Sequence, residues 1–282
     1  MMTGRILTAF FAAALFFLAA DPALADGFAV PWQINMQDAA SPSAERLHEF
    51  HEMLLWITGA IVVFIMVLLL YVMLRFNSKV NPEPAKFTHN VPLEVIWTVV
   101  PILVLVLISV KSMPMLYYLD RVEEPEMTLK VTGYQWYWGY EYPDQDGLSF
   151  LSYMVPEDEI DASKGQKRLL SVDNVVVLPV DTDIAIQVTG ADVIHSFAVP
   201  ALGIKLDAVP GRLNETWVRI DKPGTYYGQC SELCGKDHAY MPIEVKAVSK
   251  EEFANWLVTA KEQFAFDINA DDNTVRLAMA AQ

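Results

Sequence analysis

The chain has 282 residues, 53% of them hydrophobic, and a formal net charge of −15. That length accommodates a membrane anchor and one sizeable domain, and the acidic balance excludes a nucleic-acid partner while favouring a basic one. The charge is unevenly placed: from Asp120 to the C-terminus there are 27 acidic and 14 basic residues.

Residues 1–25 have the form of a secretory signal peptide. Arg5 precedes an apolar run from Ile6 to Ala20, and Ala23-Leu24-Ala25 offers a small-x-small cleavage site before Asp26. An uncleaved anchor is the alternative. Segment 26–119 is predicted to hold a two-helix transmembrane hairpin, with spans at about 53–74 and 95–115. Met53 to Leu74 is uncharged for 22 residues, about the length a bilayer core requires. In the second span Lys111 is the only charge. The connecting segment carries Arg75, Lys79 and Lys86 against Glu83. The positive-inside rule places that segment in the cytoplasm and both flanking parts outside. The predicted location is a bacterial inner membrane crossed twice, with the C-terminal domain in the periplasm. Glu94 opens the second span. A carboxylate there suits the helix dipole, and a membrane-edge carboxylate also suits proton uptake.

From Met127 onward the pattern changes to short runs rich in Val, Ile, Tyr and Trp, separated by turn signals such as Pro143-Asp144 and Asp146-Gly147. Strands are predicted at 127–133, 135–142, 174–180, 184–189, 193–199, 215–220, 225–229 and 242–248. This spacing indicates an all-β domain, an antiparallel sandwich or Greek-key barrel, within 120–266. On a single strand, Tyr134, Trp136, Trp138, Tyr140 and Tyr142 would share one face as an aromatic stripe. That alternation gives no reason for Trp136 and Trp138 to differ in exposure.

The chemistry concentrates in Cys230-Ser-Glu-Leu-Cys234-Gly-Lys-Asp-His238-Ala-Tyr-Met241, preceded by His195 in Asp192-Val-Ile-His195. Two thiolates, two imidazoles and a thioether form a soft donor set that favours copper. Structural zinc sites seldom include a thioether, so Met241 argues against zinc. Two cysteines in an exported domain also suit a disulfide. The added His and Met favour a metal over that alternative. Copper and the strand pattern together point to a cupredoxin-like Greek-key β-barrel outside the membrane. Ser249-x-x-Glu252 is a capping box, and Phe253, Trp256, Leu257, Ala260 and Phe264 share one helical face, so a helix should close the domain. Residues 267–282 are predicted to form a loose tail.

The dodecapeptide, DVIHSF, QWYWGYEYPD and LEVIWT together resemble cytochrome c oxidase subunit II, over most of residues 45–265. The resemblance implies a binuclear copper (Cu-A) centre. Cys230 and Cys234 would bridge, His195 and His238 would be terminal ligands, and Met241 and the Glu232 carbonyl weak ones. It implies that electrons from reduced cytochrome c enter at Trp136 and pass through copper to haem in subunit I. Oxygen reduction and proton pumping would take place in subunit I, and subunit III is a further expected partner. Glu94 would sit at the mouth of a proton-uptake pathway. The Glu232 side chain would help hold magnesium at the subunit I interface. Glu141, Asp144, Asp146, Asp173 and Asp192 would dock the basic donor. A quinol oxidase subunit would lack these copper ligands. A copper-delivery protein would not need the WYW segment, and a nitrous oxide reductase has no such hairpin. No CxxCH is present, so no c-type haem is expected on this chain.

Overall fold

The computed structural model describes residues 27–120 and 124–264; the predicted signal segment and the tail lie outside the described residues. Helix α1 spans Pro42–Arg75 and helix α2 spans Val91–Asp120. Ser41 caps α1: its Oγ accepts the Ala44 N–H at 3.0 Å and donates to the Leu202 carbonyl at 2.8 Å. One side chain therefore starts the helix and ties it to the β domain. Pro42 at the first helical position loses no hydrogen bond. α1 begins eleven residues before the predicted span, so it projects about 16 Å beyond the apolar core. The apolar windows of both helices are wholly exposed, an arrangement stable only against lipid or another membrane subunit.

Ten strands follow: β1 Met127–Tyr134, β2 Tyr137–Tyr142, β3 Leu148–Ser152, β4 Val176–Pro179, β5 Ile184–Gly190, β6 His195–Val199, β7 Ile204–Ala208, β8 Asn214–Val218, β9 Gly224–Gln229 and β10 Pro242–Val248. They make a five-stranded sheet β3-β2-β1-β5-β8, a three-stranded sheet β4-β10-β9 and the ribbon β6-β7. The sheets share one core, to which Leu129, Val131, Trp138, Ile186, Val218, Ile243 and Val245 contribute. The predicted all-β, cupredoxin-like domain is thus built from open sheets; no closed barrel forms among the described residues. β1 pairs with β5, and β10 with β4, in parallel.

Strands β3 and β7 were not predicted. Both are five residues long, and the outward positions of β7 carry Lys205 and Asp207, which dilute its apolar signal. The predicted strand 135–142 begins instead at Tyr137. Tyr134 faces Tyr137 across a hairpin whose two-residue turn is Gln135-Trp136. The single aromatic face is therefore corrected. Trp138, Tyr140 and Tyr142 point into the core. Tyr134 lies on the outer face of β1, its ring stacked on Tyr137 at 4.8 Å. Helix α3, described over 250–264, begins with the predicted box: the Ser249 N–H donates to Glu252 Oε2 at 3.0 Å and the Glu252 N–H to Ser249 Oγ at 3.2 Å. Phe253, Ala260 and Phe264 are buried, with Phe264 stacked on Phe150 at 4.6 Å.

Candidate metal centre

The loop 230–241 joins β9 to β10, and those strands pair up to Gln229 and Pro242 at its base. The Cys230 N–H donates to the Met241 carbonyl at 3.3 Å, so both ends of the loop are pinned. Gly235, at φ +126°, makes the turn that a side chain would oppose, and His238–Tyr240 forms a single 3₁₀ turn. The Ser231 N–H donates to the Ser196 carbonyl at 3.0 Å, fastening the loop to β6, whose first residue is His195.

This folding brings five side chains and one carbonyl together. Cys230 Sγ lies 3.8 Å from Cys234 Sγ, and both thiols are free and buried. That separation is far longer than the bond of about 2.05 Å that a disulfide needs. His195 Nδ1 lies 4.0 Å from Cys230 Sγ and His238 Nδ1 lies 3.6 Å from Cys234 Sγ. Met241 Sδ is 3.5 Å from Cys234 Sγ, and the Glu232 carbonyl oxygen is 3.3 Å from Cys230 Sγ. His195, Cys230 and Cys234 bring their donor atoms within 4.8 Å of one another, close enough to hold a metal ion. With metal–sulfur bonds of about 2.3 Å, an ion fits between two sulfurs spaced this way.

His195 is fully buried, and its Nε2 lies 2.8 Å from Asp192 Oδ1. A carboxylate accepting the Nε2 proton leaves the Nδ1 lone pair facing the sulfurs. Burial disfavours the charged imidazole, but contacts with Cys230 and Asp192 outweigh it and raise the His195 pKa above its ordinary value. Burial likewise opposes the Cys230 thiolate. The His195 ring, the backbone at Glu232 and Ser196, and His238 overcome that and draw the thiol down. Burial and the neighbouring Cys230 sulfur push Cys234 the other way. The two sulfurs are thus biased apart, Cys230 toward the thiolate and Cys234 toward the thiol.

Trp136, in the β1–β2 turn, donates its indole N–H to the Cys234 carbonyl at 3.2 Å. Gln135 donates its amide to the same oxygen at 2.8 Å, and Trp138 donates its indole N–H to the Met241 carbonyl at 3.3 Å. Gln135 and Trp138 were not singled out from the sequence. Gly133 was also missed, and a β-carbon there would meet the His195 ring at 2.9 Å.

The predicted docking carboxylates separate into two groups. Asp192, besides holding His195, accepts the Gln135 N–H at 2.7 Å, so it belongs to the metal wall itself. Asp173 accepts the Tyr153 N–H at 2.7 Å, near the end of β2 where Trp138 faces Ser152. Glu141 pairs with Lys130 at 2.8 Å, Asp144 accepts the Thr128 N–H at 2.6 Å, and Asp146 pairs with Lys261 at 2.6 Å. At about 3.3 Å per residue along β2, Asp144 and Asp146 lie on the order of 20 Å from the Trp136 turn. The Glu232 side chain is exposed. Glu94, remote from the centre, accepts the Asn90 N–H at 3.1 Å while Asn90 Oδ1 accepts the Leu93 N–H at 3.2 Å, a reciprocal cap on α2.

The family model described as cytochrome c oxidase subunit II, periplasmic domain, matches residues 127–248, and the model for the transmembrane domain matches residues 29–115. A probable cytochrome c oxidase subunit 2 of Rickettsia felis is 54% identical over 230 residues, covering 82% of this chain and 72% of the relative. The cytochrome c oxidase subunit 2 of Cereibacter sphaeroides is 49% identical, covering 82% of this chain and 81% of the relative. The chain belongs to the cytochrome c oxidase subunit II family. A crystal structure of the periplasmic domain of subunit II from Bradyrhizobium japonicum is 55% identical, with a TM-score of 0.47, covering 51% of this chain and 99% of that one. Subunit II membership accounts for the exposed hairpin: α1 and α2 are the transmembrane domain, and the soft donor set lies in the periplasmic-domain segment.

Proposed function

We propose that this chain is the subunit through which a bacterial haem–copper oxidase receives electrons from reduced cytochrome c and delivers them to haem in subunit I. The observation that carries the reading is the convergence of both thiols, both imidazoles, the Met241 thioether and the Glu232 carbonyl in a subunit II chain. Cys230, Cys234, His195, His238, Met241 and the Glu232 carbonyl would together hold the two copper ions. When bound, the copper pair supplies one-electron chemistry shared over two metals, which keeps geometric change on transfer small.

The chain's own groups do the rest. Asp192 holds the His195 ring in the tautomer and orientation that presents Nδ1. Trp138, buried and edge-on to His195 at 6.0 Å and to Phe197 at 5.5 Å, backs the His195 side of the centre. Trp136 is half-buried in a surface turn and one hydrogen bond from the Cys234 carbonyl, which suits it to meet a docked donor. Asp173, near that turn, is best placed among the carboxylates to steer a lysine-rich cytochrome c. Glu141, Asp144 and Asp146 would act at longer range, and the whole effect should weaken with salt.

The proposal extends to the parts the resemblance implied. Oxygen reduction and proton pumping take place in subunit I, and subunit III completes the assembly. The domain faces the periplasm from the inner membrane. The exposed Glu232 carboxylate is available to an interfacial magnesium, and Glu94 stands at the cytoplasmic membrane edge where proton uptake begins. Electron paramagnetic resonance of the full chain, loaded with copper in detergent, tests the centre. Hyperfine structure from two equivalent coppers sharing one unpaired electron is expected. A single-copper spectrum would overturn the relay.

A further inference from the structure

The junction between the hairpin and the β domain carries two cavities that the electron-transfer reading does not use. The larger, about 480 Å³, is lined by Arg46 from α1, Tyr117 and Tyr118 from α2, and Trp217 and Arg219 from the β domain. The smaller, about 300 Å³, lies between the helices and is lined by Arg46, Phe50, Met53, Lys111 and Met115. Arg46 and Pro114 line both, so the two spaces adjoin at these residues. One end is aromatic and cationic, and the other is apolar and opens between the membrane spans.

The depth is fixed by the sequence of the spans. Met53 is the first residue of the uncharged run of α1, and Lys111 directly follows the uncharged run Val95–Val110 of α2. Arg46 lies seven residues outside Met53, about 10 Å along the helix, while a headgroup layer adds about 5–8 Å to each side of the hydrocarbon core. The long side chains of Arg46 and Lys111 can therefore meet at phosphate level. Tyr117, Tyr118 and Trp217 form the interfacial aromatic belt expected at that depth.

The charges leave room for an anion. Arg219 is offset by Asp183, 3.7 Å away. Arg46 lies over the Tyr118 ring at 3.6 Å, and neither it nor Lys111 has an ion-pair partner among the described residues. Glu49, which also lines the smaller cavity, is exposed and pairs with neither. Arg46 and Lys111 come from the hairpin, so their charge faces a neighbouring domain that is itself acidic, with 27 acidic and 14 basic residues from Asp120 onward. The Trp217 indole N–H is spent on the Tyr118 carbonyl at 2.8 Å, so the aromatic wall is held in place before any ligand arrives.

We propose that these adjoining spaces bind one anionic glycerophospholipid from the outer leaflet, with its phosphate between Arg46 and Lys111 and an acyl chain along Phe50, Met53 and Met115. The lipid would wedge the β domain at a set height on the hairpin. The inference goes beyond electron transfer and is independent of copper.

Native mass spectrometry of the full-length chain, released from micelles holding equal amounts of phosphatidylglycerol and phosphatidylcholine, tests it. Phosphatidylglycerol should be retained about tenfold over phosphatidylcholine. Arg46→Gln with Lys111→Gln should bring retention to parity. Arg46→Lys with Lys111→Arg, which keeps both charges, should preserve the preference, and so should Lys164→Gln, remote from the cavities. Parity in the unaltered chain, or an undiminished preference in the double Gln variant, would overturn the proposal. Displacement of the lipid by millimolar inorganic phosphate would also overturn it, by assigning the space to a bare anion.

Discussion

The two imidazoles of the candidate centre sit in unlike walls. His195 comes from a β-strand, is fully buried, packs edge-on to Trp138 at 6.0 Å and is oriented by Asp192. His238 comes from a single 3₁₀ turn in the loop, is half-buried, and has no carboxylate partner among the described residues. The sheet side of the centre is thus built by the same packing that builds the core. The loop side is a turn held by its ends, by the Ser231 N–H on the Ser196 carbonyl and by Gln135 and Trp136 on the Cys234 carbonyl.

Alanine at each histidine separates these walls most sharply. His195→Ala should destabilise the metal-free domain by about 2–4 kcal/mol, because it leaves a cavity and removes one of the hydrogen bonds to Asp192. His238→Ala should stay within about 0.5 kcal/mol, as surface changes do. Thermal unfolding of the metal-free chain, followed by near-ultraviolet circular dichroism, checks both, and equal losses would break the comparison. Next in size is the orienting carboxylate. Asp192→Ala should weaken metal binding about 10–100-fold, the range for partners that orient a ligand, and Asp173→Ala should leave it unchanged. Competition against a chelator measures this. A comparable loss in both variants would return Asp192 to the docking surface alone.

Gly133 sharpens the same point from the opposite strand. A methyl there meets the His195 ring at 2.9 Å, and the ring is too tightly packed to yield freely. Gly133→Ala should cost about 1–3 kcal/mol and displace His195 from the sulfurs. An unchanged copper spectrum in this variant would show that the wall is softer than its packing implies.

What was legible in the chain follows the same division. The hairpin is written in composition, since 22 uncharged residues have few soluble uses. The loop ligands are written in spacing, since all but His195 lie within twelve residues. The Ser249–Glu252 box is local as well, and it formed as read. The supports for the centre were not legible, because they come from elsewhere in the chain. Gln135 and Trp136 reach Cys234 across about a hundred residues, from a hairpin turn that period-2 reasoning continued as strand. Asp192 stands three residues before His195, a spacing that in a loop suits either docking or orientation, and only the fold decides between them. The parallel pairings of β1 with β5 and of β10 with β4 leave no local mark at all.

The smallest effect expected is a matter of protons. Holding a metal through both sulfurs requires both as thiolates. Cys230 is drawn down by His195 and the surrounding backbone, so near neutral pH it already lacks its proton. Cys234 is pushed up by burial and by the negative sulfur 3.8 Å away, so it still holds its own. Copper uptake must then release the Cys234 proton, together with the imidazole proton wherever His195 is still charged, so once His195 is neutral the apparent affinity should rise about tenfold per pH unit, levelling off only where Cys234 ionises unaided. The sign follows from the raised group: a proton that the metal must displace competes less well as pH rises. Uptake measured under reducing conditions in two buffers of different ionisation enthalpy counts the protons directly. Two protons persisting in the pH range where His195 is neutral would mean that the sheet-side contacts do not ionise Cys230, and the contrast between the walls would then be one of packing alone.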